Sequence, residues 1–88
     1  MWVKPQDYKV VGEHLAELRR SVPLTQVELA KRLKKPQSFV SSYESGQRRL
    51  DLLEFLAVVS ELGGDPKAAS AAIFDMLSPK PKRGSKRP

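Results

Sequence analysis

The chain contains no cysteine, so it can build neither a disulfide framework nor a thiolate metal site. That absence fits a reducing compartment, and the cytoplasm is the expected location. There is one histidine, His14, set among polar neighbours. No histidine–carboxylate motif, glycine-rich phosphate loop or metal-ligating cluster is present. With those parts missing, and little room for a pocket in 88 residues, neither an enzyme nor a bound cofactor or metal is expected. Long hydrophobic runs are missing too. The longest, Phe55–Val59, is far short of the roughly 20 residues that cross a bilayer. The opening MWVKPQDYK lacks the apolar stretch of a secretory signal, so no membrane partner is expected. No segment alternates as a strand does, and no internal repeat is evident. One small all-α domain is the architecture that suits this length.

Charge is present in quantity and unevenly placed. The formal net charge is +6, but residues 1–30 are balanced. Lys31, Arg32, Lys34, Lys35, Arg48 and Arg49 then face a single acid, Glu44, across residues 31–49. Residues 50–78 reverse the sign, with Asp51, Glu54, Glu61, Asp65 and Asp75 against Lys67. A basic stripe beside a neutral or acidic remainder is the electrostatic footprint of a polyanion binder. The final PKPKRGSKRP is basic and has no large apolar side chain. It cannot bury enough surface to offset the entropy of ordering, so residues 79–88 are expected to form a disordered tail.

Apolar spacing divides the rest into five short helices. A flexible leader is expected over residues 1–7, with Pro5 as a breaker, ahead of a folded domain over residues 8–78. Val11, Leu15 and Leu18 make one face of a first helix that starts near Asp7 or Tyr8 and runs to Ser21. Thr25 and Glu28 form a capping box for a second helix that buries Leu29, Ala30 and Leu33. Only Lys34, Lys35 and Pro36 separate it from a third. A gap this short keeps the two from lying antiparallel and projects the third outward. Phe39, Val40 and Tyr43 are the inner face of that third helix, and Gln37, Ser38, Ser41 and Ser42 its outer face. Gly46 supplies a left-handed stop. Asp51 and Glu54 cap a fourth helix carrying Leu52, Phe55, Leu56, Val59 and Leu62. Asp65-Pro66 opens a fifth, which carries Ala68, Ala69, Ala72, Ile73, Met76 and Leu77.

The run LTQVELAKRL, then SFVSSYESGQRRL, then LLEFLAVVSELG resembles the helix-turn-helix family of phage repressor and Cro proteins. Its bacterial members include standalone regulators, antitoxins and controllers of restriction–modification systems. The likeness covers roughly residues 8–77. It rests on Gln26 opening the second helix, Ala30 packed against the next, and Val40 and Tyr43 in the core. Glu44-Ser45-Gly46 before a basic pair and the leucine-rich helix ending at Leu62-Gly63 complete it. One departure stands out, because the family often has glycine at the first turn position and this chain has Lys34.

The resemblance implies a lambda-repressor-like helix-turn-helix domain that binds double-stranded DNA and regulates transcription, most often as a repressor. It implies that the third helix enters the major groove with its N-terminal end toward the bases. Gln37 and Ser38, then Ser41 and Ser42, would face base edges, and Gln37 has the chemistry to pair with adenine. Gln26 resembles the family's phosphate-clamping glutamine. Lys34, Lys35, Arg48 and Arg49 flank the groove element and are the expected phosphate contacts. One such domain reads only a few base pairs, so a homodimer on two half-sites is expected. The fifth helix, through Ile73, Phe74, Met76 and Leu77, is the candidate interface, the alternative being that this face closes the monomer core. The competing reading is an antitoxin whose main partner is a toxin and whose DNA binding is secondary. Trp2 is expected to pack on the domain, with an arm reaching DNA as the alternative, and His14 to lie on the surface or between helices.

Overall fold

The computed structural model describes residues 2–77. The expected disordered tail at residues 79–88 lies outside them. Five helices and no strand occur among the described residues: α1 Pro5–Ser21, α2 Gln26–Leu33, α3 Gln37–Glu44, α4 Leu52–Glu61 and α5 Pro66–Leu77. None of them is long and apolar enough to cross a membrane.

The helix starts follow from local chemistry. Thr25 Oγ1 accepts from the Glu28 N–H, and the Glu28 carboxylate accepts from the Thr25 N–H. Asp51 and Glu54 repeat the arrangement at α4. Each box satisfies two backbone donors that a helix N-terminus leaves without intrahelical partners. The first helix begins earlier than its spacing suggests, so residues 5–7 belong to α1 and the leader is shorter than expected. Pro5 does not break it, because at the first helical position a missing N–H costs nothing. Asp7 then caps the turn by accepting from the Lys4 N–H at 2.8 Å.

The core is one cluster of Leu15, Leu29, Ala30, Val40, Tyr43, Val58, Val59, Leu62 and Ala69. Burying each of the larger aliphatic side chains is worth about 1.5–3 kcal/mol. Helix α3 packs against both α1 and α2. At the α1–α3 contact Gly12 is buried, and a Cβ there would collide with the carbonyl oxygens of Tyr43 and Glu44. Only a glycine lets the two backbones come so close.

Three expectations about packing need correction. Leu52, assigned to the inner face of α4, is 70% exposed. It stands in the first turn, before the helix reaches the core, and Val58 takes the inner position instead. Ile73, assigned to an interface, is buried in the monomer at 8% exposure, where it closes the core beneath α5. Trp2 is exposed; it precedes the Lys4 cap and no helix packs over it. His14 is half-buried and lines a shallow cleft with Ala68 and Ala72 of α5.

Candidate nucleic-acid interface

The outward helix is set by its inner face. Val40 and Tyr43 are fully enclosed, which leaves Gln37 and Ser38 exposed in the first turn of α3. Ser41 and Ser42 are half-buried, less open than expected. Ser41 Oγ also donates back to the Ser38 carbonyl at 3.3 Å. Phe39, expected inside, is half-buried on the helix flank. Its ring meets Tyr43 edge-on at 5.5 Å, and the ammonium of Lys35 and the guanidinium of Arg48 lie 5.6 and 4.9 Å from its centroid. A cation over a ring face is attracted to its quadrupole, so Phe39 holds two positive charges beside α3.

The turn between α2 and α3 keeps its left-handed residue without glycine. Lys34 adopts φ 59°, ψ 43° and caps α2, with its N–H reaching the Ala30 and Lys31 carbonyls. Its side chain is exposed. On the other side of α3, Gly46 at φ 84° ends the helix, and a Cβ there would meet the Lys9 Cα at 2.8 Å. The chain then exposes Arg48 and Arg49. Arg49 lies 5.2 Å from the Tyr8 ring. Arg48 is also tied to Glu54 at 2.8 Å, an exposed pair that solvent largely screens. Lys34, Lys35, Arg48 and Arg49 are thus all exposed on the two connections that flank α3.

Beneath this surface lies an ion pair that sequence reading missed. Arg19 Nε donates to Glu44 Oε2 at 2.7 Å and Nη2 to Oε1 at 3.1 Å, while Nη1 donates to the Leu24 carbonyl at 2.8 Å. The two side chains are 11% and 7% exposed. The hydrogen bond that Arg19 donates to Glu44 raises the Arg19 pKa above its ordinary value. One signal was available: Glu44 shares the helical spacing of Val40 and Tyr43, and an acid on an inner face needs a cationic partner.

The pair continues outward. Gln26 Nε2 donates to Glu44 Oε1 at 2.8 Å, and Gln37 Nε2 donates to Gln26 Oε1 at 3.0 Å. Two glutamines 11 residues apart, at the first positions of α2 and α3, therefore form one hydrogen-bonded unit at the open edge of the turn.

A family model described as helix-turn-helix matches residues 15–67. A solved structure of an XRE-family like protein from Pseudomonas syringae pv. tomato str. DC3000 is 40% identical, covers 82% of this chain and 88% of its own, and superposes with a TM-score of 0.73. The chain belongs to the XRE family of helix-turn-helix DNA-binding transcription regulators. The restriction-modification controller protein C.AhdI from Aeromonas hydrophila is 31% identical over 74% of this chain and 94% of its own, with a TM-score of 0.69. The clp gene regulator ClgR from C. glutamicum, at 18% identity, covers 88% of this chain and 100% of its own with a TM-score of 0.76, which speaks to the fold alone. No curated protein matches the chain in sequence. Within this family frame α2 and α3 are the helix-turn-helix pair, and the Gln26–Gln37 unit lies where they meet.

Proposed function

We propose that this XRE-family chain is a sequence-specific repressor that reads the major groove with α3. The observation that carries the reading is the arrangement of that helix. Val40 and Tyr43 are anchored inside, Gln37 and Ser38 are open at its N-terminal end, and four exposed basic residues flank it. In the groove, Gln37 reads adenine through N6 and N7, and Ser38 makes a less selective contact. Ser41 and Ser42, being half-buried, contribute at the margin. Gln26, Lys34, Lys35, Arg48 and Arg49 meet phosphates, which fix position and make affinity fall steeply with salt.

Repression follows from occupancy: a homodimer covers a promoter and blocks its use. Two copies bind half-sites about 34–36 Å apart. Phe74 and Met76 on α5, 61% and 51% exposed, lie close in sequence on a helix whose partner-facing side already buries Ala69 and Ile73. Phe74 also lines an apolar groove with Val11, Leu52 and Phe55. Exposed apolar surface of this kind marks an interaction site, and the second copy is its proposed occupant.

Fluorescence anisotropy with random duplex DNA at rising salt, followed by selection from a duplex library, tests the proposal. The expected outcome is tight, salt-sensitive binding and a selected site made of two inverted half-sites one turn apart. Binding without any selected sequence contradicts base reading and favours a module whose main partner is a protein, such as the toxin of an antitoxin pair.

A further inference from the structure

Phe39 stands where two long cationic side chains converge. Lys35 reaches it from the turn before α3, and Arg48 from the loop after it. Both backbones are pinned: the Lys35 N–H donates to the Ala30 carbonyl at 3.0 Å, and the Arg48 N–H to the Ser42 carbonyl at 3.1 Å. The ring then gathers the two side-chain ends although like charges repel. Glu54 of α4 completes the group. It lines a small cleft with Lys35 and Phe39, and its two oxygens have separate roles. Oε1 accepts from the Asp51 N–H at 3.0 Å and closes the cap of α4, while Oε2 accepts from Arg48 Nη2 at 2.8 Å. Arg48 can therefore leave Glu54 without undoing the start of the helix. The Asp51 carboxylate is turned to the cap as well, where it accepts the Glu54 N–H. Two cations thus face one exchangeable carboxylate oxygen, an imbalance that a singly charged phosphodiester would correct.

We propose that Phe39 and Glu54 build a seat for one phosphate of the DNA backbone: the ring holds Lys35 and Arg48 beside a common point, and the Glu54 carboxylate occupies that point until the phosphate displaces it from Arg48. Phe39 is then a positioning residue, and Glu54 a resident stand-in for the phosphate. An exposed ion pair such as Arg48–Glu54 is weak, so little opposes the exchange. The guanidinium–phosphate contact that replaces it is charge-assisted. Because both cations are already gathered at the ring, binding orders less side-chain freedom than two unrestrained side chains would lose. The inference rests on the proposed binding of DNA by α3. It goes beyond that reading by assigning Lys35 and Arg48 to the same phosphate, and by giving an apolar ring and an acid a part in holding a polyanion.

The experiment measures anisotropy of the full chain on duplexes of the selected site in which one phosphate at a time is replaced by an uncharged methylphosphonate. In the wild type one such replacement is expected to lower affinity about fivefold or more. Lys35→Ala, Arg48→Ala and Phe39→Leu are each expected to shrink that same loss to about twofold or less, and Phe39→Tyr, which keeps a ring, to restore it. Lys35 and Arg48 are exposed, so their variants carry the test even where Phe39→Leu fails to fold. Glu54→Gln keeps an acceptor for the Asp51 N–H and is expected to raise affinity for every duplex about threefold, an increase that disappears when Arg48→Ala is added. Sensitivity lost at two different phosphates in Lys35→Ala and Arg48→Ala, or a wild-type profile in folded Phe39→Leu, overturns the shared seat. Unchanged or lower affinity in Glu54→Gln overturns the exchange. A wild type with no preferred site defeats the DNA reading first and the proposal with it; one with a preferred site but no phosphate common to Lys35 and Arg48 overturns the proposal alone.

Discussion

Lys34 carries two opposing demands in one residue. Its backbone is left-handed, a conformation in which a side chain clashes with the neighbouring carbonyl and glycine does not. Its ammonium is exposed beside α3, where the proposed function needs positive charge. Lys34→Gly is expected to raise unfolding free energy by about 1 kcal/mol while weakening binding to all duplexes alike; denaturant melts and anisotropy check both halves. The departure from glycine was visible in the sequence, but not whether the turn would bend around it; the backbone angles answer that. Tyr43 holds a second tension. Its hydroxyl is buried with no hydrogen-bond partner among the described residues, and burial, with the Glu44 charge adding to it, raises its pKa well above the ordinary 10.0. A raised value means that the neutral phenol favours the fold in full below pH 10.0 and that this contribution is lost as pH climbs toward the folded-state value. Tyr43→Phe is expected to leave neutral-pH stability equal or higher and to move alkaline unfolding, followed by circular dichroism, to higher pH.

Among the helices, capped starts and glycine stops were far more legible than packing partners. The capping boxes at Thr25 and Asp51 are local, so the sequence alone places α2 and α4. In both boxes the carboxylate pKa is lowered, for Glu28 first by the Thr25 N–H and for Glu54 first by the Asp51 N–H. A lowered value gives stabilisation that is present above the ordinary 4.5 and lost as pH falls through the folded-state value. Glu28→Gln can still accept the Thr25 N–H but carries no charge, so a thermal melt series down through pH 4.5 should show a shallower acid loss than wild type. Packing across helices was less legible. Leu52 has the right spacing for the core yet lies in a turn that projects past it, and no periodicity reveals where a helix outruns its neighbours. Gly12 looks like a weak point in α1 until the α3 carbonyls are seen against it. Arg19 gave no sign of its role, because its partner is 25 residues away.

For the whole molecule, the five-helix bundle and the placing of α3 were readable because one short turn and one capped helix dictate them. The proposed dimer was legible only in outline. Four apolar residues of α5 marked an interface, but Ile73 is core and Phe74 and Met76 are open. Phe74→Asp is expected to give a folded monomer with near wild-type melting, whereas Ile73→Asp unfolds the chain; sedimentation at rising concentration beside thermal melts separates them, and a wild type that stays monomeric throughout contradicts the dimer. The proposed DNA-reading role of α3 is tested most directly by measuring Gln37→Ala and Lys35→Ala against the selected duplex and each of its single-base variants. Gln37→Ala should lose about 1–3 kcal/mol of discrimination at one or two positions and leave the rest. Lys35→Ala should weaken every duplex equally. Equal loss on every sequence in both variants would mean that α3 does not read bases.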